Sequence, residues 1–313
     1  MKTFENFSEC ISDALIEALT DKGVENVTTQ VLPIKKLQGD SYTGLSVCAG
    51  DSHASAVYDL TTAYSKYQDG ICYTSILNHA VKQIMEALAA LPDMPFDILC
   101  NYSVMKDHMT VQLVSKSHNE PSLEGVAYTE VAEDLILVYR LMIPAFDNKE
   151  GSILIRNEHL DPIGVSLEQV HHDALLKAAE LQPMKFVPLA AFLAQTMGLN
   201  EEDKRLPDPE IWIVTNQSMC LGASALFYPG ALEMISNQLG GGNFYIIPSS
   251  IHECLVCSDK SCSSWEWLER ILNEVNATVV DSDEVLSDQL YFYNSITKAV
   301  ELAATMQTPT PSF

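Results

Sequence analysis

Strand-like and helix-like stretches alternate irregularly along this chain, and strand hairpins are mixed among strand–helix pairs. No other feature constrains the fold as much. A doubly wound sheet needs a regular strand–helix rhythm, and here that rhythm breaks repeatedly. Val27–Ile34 and Thr43–Cys48 read as strands around the turn-like Gln38-Gly39-Asp40-Ser41. Leu135-Ile136-Leu137-Val138-Tyr139 is a continuous apolar run, the mark of a buried strand. Phe244–Ile247 and Glu253–Cys257 flank a Pro248-Ser249-Ser250 corner. The expected class is α+β, with mostly antiparallel sheets, flanking helices and two sub-domains.

The helices announce themselves by spacing and caps. Phe4, Phe7, Ile11, Leu15, Ala18 and Leu19 recur at helical intervals, and Gly23 supplies a stop. From Ile71 to Leu91 the stripe is Tyr73, Leu77, Val81, Ile84 and Leu88, ended by Pro92. Ser166-Leu167-Glu168-Gln169 is a capping box that opens a helix to about Leu181. Leu189–Met197 reads as another helix, Pro229-Gly230 turns the chain into Ala231–Leu239, and Ser263-Ser264-Trp265-Glu266 opens one more. Phe96–Cys100, Met109–Ser115, Ser152–Arg156, Ile211–Val214 and Ala223–Tyr228 read as strands. Gln289–Tyr293 is expected as an edge strand before a final helix from Ser295. The polar, Pro-containing Pro144–Glu150 is taken as the boundary between an N-terminal α+β subdomain, 1–146, and a C-terminal one, 147–306, with 307–313 a frayed tail.

Charge narrows the function classes. Forty-two acidic residues against 18 basic ones give a formal charge of −24 over 313 residues. Such a field repels phosphate backbones and anionic lipid heads, so neither direct nucleic-acid binding nor membrane binding is expected. The acids read as scattered, with Asp281-Ser282-Asp283-Glu284 and Glu201-Glu202-Asp203 as solvated loops. They suit colloidal stability, with mimicry of nucleic acid as the alternative. No apolar run approaches the roughly 18–20 residues of a membrane span, and the N-terminus has no apolar signal core. A cytoplasmic protein is expected. Its eight cysteines read as thiols that behave as small hydrophobes.

Two constellations have the residue types that chemistry needs. Ser249, Ser250, His252 and Glu253 are the candidate catalytic residues, because a nucleophile needs a base in reach and a third group to orient it. Against this, hydroxyl and imidazole groups at such a corner also serve as turn caps. His252, Cys254, Cys257 and Cys262 are candidate zinc ligands, since zinc takes four N or S donors at tetrahedral angles. Cys254 and Cys257 would face opposite ways on a strand, however, and no second Cys/His pair follows. Gly240-Gly241-Gly242 lacks a following Lys-Ser/Thr and reads as a helix stop, so no cofactor is expected. His171 and His172, adjacent on one helix, are expected to face solvent. Tyr58, Tyr64, Tyr67 and Tyr73 form either an interface patch or half-buried packing.

Several phrases resemble a known family: Gly151-Ser152-Ile153-Leu154-Ile155-Arg156-Asn157-Glu158-His159-Leu160, Gly164-Val165-Ser166, Ile211–Asn216, Gly222–Gly230, Tyr245–Glu253, Asn273–Thr278 and Glu284–Asp288. The chain resembles the bacterial domain-of-unknown-function family 5688, found in gut-type anaerobes and often near mobile elements. The likeness is strong from Gly151 to Tyr293 and looser before. It implies a cytoplasmic bacterial protein, supplies no catalytic residues, and makes Cys254, Cys257 and Cys262 peculiar to this chain. The resulting reading is a non-enzymatic, acidic protein that acts through a protein partner, as an accessory of a mobile element. The alternative is a hydrolase or metal-dependent enzyme centred on the Ser-Ser-Ile-His-Glu corner.

Overall fold

The computed structural model describes residues 2–50, 55–90, 97–146, 149–197, 210–262 and 264–307. The expectations for Pro92, Ser263, the Glu201–Asp203 loop and residues 308–313 lie outside these. The chain divides into two compact units. Met1–Lys36, Asp40–Phe96 and Ile143–Gly151 make the first, and Leu37–Gly39, Asp97–Met142 and Ser152–Phe313 the second.

The first unit is built from α1 (Phe4–Asp21), the strands β1 (Thr28–Ile34), β2 (Tyr42–Cys48) and β3 (Ala56–Asp59), then α2 (Leu60–Gln68) and α3 (Tyr73–Ala90). The strands form an antiparallel sheet in chain order. Helix α1 begins where the Thr3 hydroxyl accepts the Asn6 N–H and stops at Gly23, whose φ of 87° only glycine adopts easily. Its Phe7, Ile11, Leu15 and Leu19 are fully buried with Leu45, Val47 and Ile84. The tyrosines belong to this core's wall. Tyr58 is buried, and Tyr64, Tyr67 and Tyr73 pack their rings 5.4, 5.2 and 6.3 Å from that of Phe7. The Tyr73 hydroxyl donates to the Cys10 carbonyl at 2.8 Å and that of Tyr64 to Lys2 at 3.0 Å. The Tyr-rich stretch is therefore packing, and its two bonded hydroxyls are held by backbone.

The chain continues through α4 (Asp97–Cys100), α5 (Tyr102–Met105), β4 (Met109–Ser115), α6 (Lys116–Asn119), β5 (Tyr128–Glu130), β6 (Leu135–Phe146) and β7 (Lys149–Leu154). Then come α7 (Asn157–Leu160), α8 (Leu167–Leu181), β8 (Met184–Pro188), α9 (Leu189–Met197), β9 (Ile211–Asn216) and α10 (Ala231–Gln238). The last elements are β10 (Phe244–Ile247), β11 (Cys254–Ser258), α11 (Trp265–Thr278), β12 (Tyr291–Asn294) and β13 (Ala299–Leu302). β6 is the centre of a small antiparallel sheet, with β4 on one side and β5 and β7 on the other. Its Leu135–Tyr139 run is fully buried. The larger sheet has the order β13-β12-β10-β11-β9-β8, antiparallel throughout. The α+β class with antiparallel sheets is what the irregular alternation implied. No helix among the described residues is long and apolar enough to cross a membrane.

Four local expectations are corrected. Asp97–Cys100 is one helical turn, not a strand. So short an apolar run has no period to decide the matter. Gly222–Phe227 is a buried 3₁₀ helix and not a strand, because small Gly, Ala and Ser residues let the backbone coil tightly against its neighbours. β12 lies inside the sheet, between β10 and β13, and is no edge. The final helix from Ser295 is instead a turn and a strand. Asn294 Oδ1 accepts the N–H groups of Ile296 at 3.0 Å and Thr297 at 3.3 Å. Lys298 sits at φ 58°, and the chain reverses into β13.

Candidate functional site

The Ser-Ser-Ile-His-Glu corner joins β10 to β11, and two other segments hold it. The first follows β9, which pairs with β11 so that Val214 lies opposite Cys254. From there the chain makes a cramped loop in which Met219 and Leu221 both adopt left-handed φ, 57° and 52°. The second is the segment before β12, where Leu286 N–H donates to Ser249 O at 3.2 Å and Ser287 N–H to Pro248 O at 3.1 Å. Ile251 N–H donates to Glu284 O at 2.9 Å.

His252 lies where these segments meet. The Leu221 N–H donates to its Nδ1 at 3.1 Å, and its Nε2 lies 3.2 Å from Glu284 Oε1. Nδ1 is an acceptor, so the ring proton sits on Nε2 and points at the carboxylate. The His252 carbonyl accepts from Thr215 Oγ1 at 2.8 Å, and its N–H donates to Ser250 Oγ at 3.0 Å. Gly222 fits into the same knot. A Cβ there would collide with Thr215 Oγ1 and come within 2.6 Å of Asn216 N and His252 O. Ser249 and Ser250 are buried at 5% and 4% exposure. Burial raises the carboxyl pKa of Glu253 above its ordinary value, while His252 and a hydrogen bond from Ser250 act in the opposite direction.

This geometry sets what the corner does chemically. Activating a serine requires an imidazole nitrogen at its hydroxyl, and both ring nitrogens of His252 face other groups, Leu221 and Glu284. Ser250 meets the His252 backbone, not its ring. The four candidate residues are adjacent in space, yet the bonds they make tie segments together.

The proposed metal ligands do not converge on one point, although Cys257 and Cys262 share one apolar cluster. Cys254 and Cys257 are both fully buried, and burial raises both thiol pKa values. Three residues apart on β11, they face opposite sides of the sheet, and Cys257 packs with Leu268 and Leu272 of α11. Cys262 is partly exposed, and its thiol donates to Ser264 O at 3.2 Å. Among the described residues no three His, Cys, Asp or Glu side chains are arranged to hold a metal ion.

The adjacent histidines differ from expectation. His171 is half-buried, its Nδ1 2.9 Å from the hydroxyl of Tyr139, which also meets Thr129 Oγ1 at 2.5 Å. Burial and the neighbouring His172 lower the His171 pKa. Only His172 is exposed, with its Nδ1 3.0 Å from Asp173 Oδ1. The difference arises because α8 lies against β4, which turns one of two adjacent helix positions inward.

A second feature stands on α1. Glu5, Glu9, Asp13, Glu17 and Asp21 recur every fourth residue and are all exposed. The buried Phe7, Ile11, Leu15 and Leu19 have the same interval, shifted by two positions. Two positions turn the helix by about 200°, so the acids lie directly opposite the core. None of the five has an ion pair among the described residues. No basic residue occupies the last turn of α1.

With the fold and these sites in place, comparison with known proteins adds one finding. The model of a family of unknown function, DUF5688, matches residues 4–295. The chain belongs to that family. No curated protein and no solved structure matches it. The match begins at residue 4 and so takes in α1, beyond the Gly151–Tyr293 region where the phrases were clearest.

For this DUF5688 chain, reading the sequence missed both partners of His252. Leu221 and Glu284 are far from it in the chain, and Glu284 was taken for part of a solvated loop. The ridge on α1 was legible, since five acids at a constant interval of four are a helical stripe. Treating the acids as scattered hid it.

Proposed function

We propose that this protein works by contact with a partner and not by catalysis, and that the exposed acidic ridge of α1 is the contact surface. The ridge carries the reading. Like charges four apart on a helix each cost about 0.2–0.5 kcal/mol, so the four successive pairs from Glu5 to Asp21 together cost about 1–2 kcal/mol. Glu17 and Asp21 also stand near the C-terminal end of α1, where the helix dipole disfavours negative charge. Neither arrangement helps α1 form, and the ridge points away from the core. An external cationic surface offsets both costs. The expected partner is a protein with a lysine- and arginine-rich face. The mobile-element setting implied by the family resemblance suits such a partner, because proteins that handle nucleic acid carry basic faces.

The test is a comparison of baits. Wild-type protein and an E9Q/D13N/E17Q variant are used to capture partners from a related anaerobic bacterium, with quantitative mass spectrometry of the eluates. A stoichiometric basic protein retained by the wild type, released by salt and lost from the variant supports the reading. Identical recoveries from the two baits, or no stoichiometric partner, overturn it.

A further inference from the structure

The cysteines that the metal reading singled out have another relationship. β11 ends at Ser258, and a tight turn brings the chain back. Ser261 N–H and Cys262 N–H both donate to Ser258 O, at 3.2 and 3.1 Å. Cys257, the residue before the turn, and Cys262, the residue after it, therefore come together. Both pack on the cluster of Leu268, Leu272 and Trp265, and Cys257 Sγ lies 3.8 Å from Oγ of Ser261, the neighbour of Cys262 in the chain. Cys257 is fully buried while Cys262 is partly exposed. An accessible sulfur backed by a buried one is the arrangement of an attacking and a resolving thiol.

We propose that Cys257 and Cys262 are an oxidation site, converted reversibly to an intrachain disulfide by exchange with a small-molecule disulfide. The Cys262 thiol gives its proton to solvent and its sulfur attacks one sulfur of the reagent. The reagent S–S bond breaks, and one small thiolate leaves and is protonated. Cys257 then loses its proton to water and attacks the Cys262 sulfur of the mixed disulfide, expelling the second small thiolate. Two protein thiols are oxidised, and one reagent disulfide is reduced to two thiols. Burial shapes the return path. An incoming reductant reaches the exposed Cys262 sulfur, so the leaving group is Cys257, whose pKa burial raises to about 11. A thiolate that basic leaves slowly, so the bridge, once formed, is slow to reduce. Cys254 takes no part, because it lies on the other face of β11.

The experiment treats the full chain with oxidised glutathione over a range of glutathione ratios, blocks remaining thiols, and digests with trypsin. Cleavage after Lys260 separates the two cysteines, so the bridge is read as two peptides joined by a disulfide, and fragmentation of the joined pair tells Cys257 from Cys220 and Cys254, which lie on the same tryptic peptide. Joined peptides in the wild type and in C254S, and their loss in C262S, are expected. The exposed Cys72, Cys100 and Cys220 serve as internal controls, since oxidation there adds glutathione instead. If the controls react while Cys257 and Cys262 stay unmodified or carry separate glutathiones, the proposal is overturned. A crosslink through Cys254 overturns it as well. The partly exposed Cys262 is the position varied, so that loss of the bridge is not loss of the fold; thermal midpoints of the reduced proteins verify this. The outcome is independent of the α1 ridge.

Discussion

The backbone N–H of Leu221 donates to Nδ1 of His252 at 3.1 Å, and Leu221 does so from the left-handed region, at φ 52°. A leucine there costs about 1–2 kcal/mol. The ring, clamped between this amide and Glu284, joins three segments of chain that are distant in sequence.

Removing that ring strands the Leu221 amide and the Glu284 carboxylate. His252→Ala is expected to lower stability by about 1–3 kcal/mol, the usual penalty for an unpaired half-buried donor. Urea unfolding of the variant measures it. A change below about 0.5 kcal/mol, the range of a neutral surface substitution, refutes the clamp.

Gly222 tolerates less. Of the three atoms that an added Cβ would crowd, Asn216 N and His252 O are backbone and cannot turn aside. Gly222→Ala is expected to cost about 3 kcal/mol or more, at the upper end for overpacking. Gly151→Ala, whose nearest contact would be 3.6 Å away, is expected to stay within about 0.5 kcal/mol. Paired thermal midpoints decide the comparison.

How much of this was readable from sequence depends on the distance over which each feature is determined. Helix α8 begins at Ser166, whose hydroxyl accepts the Gln169 N–H at 3.2 Å, and four adjacent residues specify that cap. β4 and the β10 and β11 strands were likewise legible, because turn residues and apolar runs mark their ends. The Ser249–Glu253 corner was found for the same reason. What bonds to it was not, because Glu284 and Leu221 reach His252 only after the sheet has formed. β13 was mistaken for a helix since its apolar residues are too few to show a period, and the side chain of Asn294 rather than a pattern sets its start. Gly222–Phe227 escaped because close backbone packing, invisible in composition, selects its small residues.

Histidine burial gives stability a pH dependence. The pKa values of His171 and His159 are both lowered from 6.5, chiefly by burial. Below that value the unfolded chain binds more protons than the folded one, so stability falls as pH drops through about 6.5 and is fully present above it. The raised pKa of Glu253 has the opposite sign, its contribution being lost as pH rises above the ordinary carboxylate range. The urea midpoint is therefore expected to be lower at pH 5.5 than at pH 7.5. His171→Gln, which keeps an acceptor for Tyr139, is expected to narrow that gap. An unchanged gap in the variant shows that His171 does not contribute.

The α1 ridge also makes a prediction that needs no partner. Glu9→Lys replaces two like-charge pairs, with Glu5 and Asp13, by two opposite-charge pairs. It is expected to stabilise α1 by about 1–2 kcal/mol at low ionic strength, from two repulsions lost and two attractions gained at about 0.2–0.5 kcal/mol each. The gain should shrink as salt screens it. A thermal midpoint that does not rise in low salt argues against repulsion along the ridge.

The strand order of the larger sheet has a consequence for biosynthesis. The antiparallel pair β8 and β9 leaves the ribosome well before β11, the strand that covers the open side of β9. Until then the backbone of Ile211–Asn216, a nearly continuous apolar stretch, offers unpaired amides and carbonyls to any neighbouring chain. Nascent copies on crowded polysomes are thus most prone to pair with one another in this interval, and slow translation between residues 216 and 254 would lengthen it.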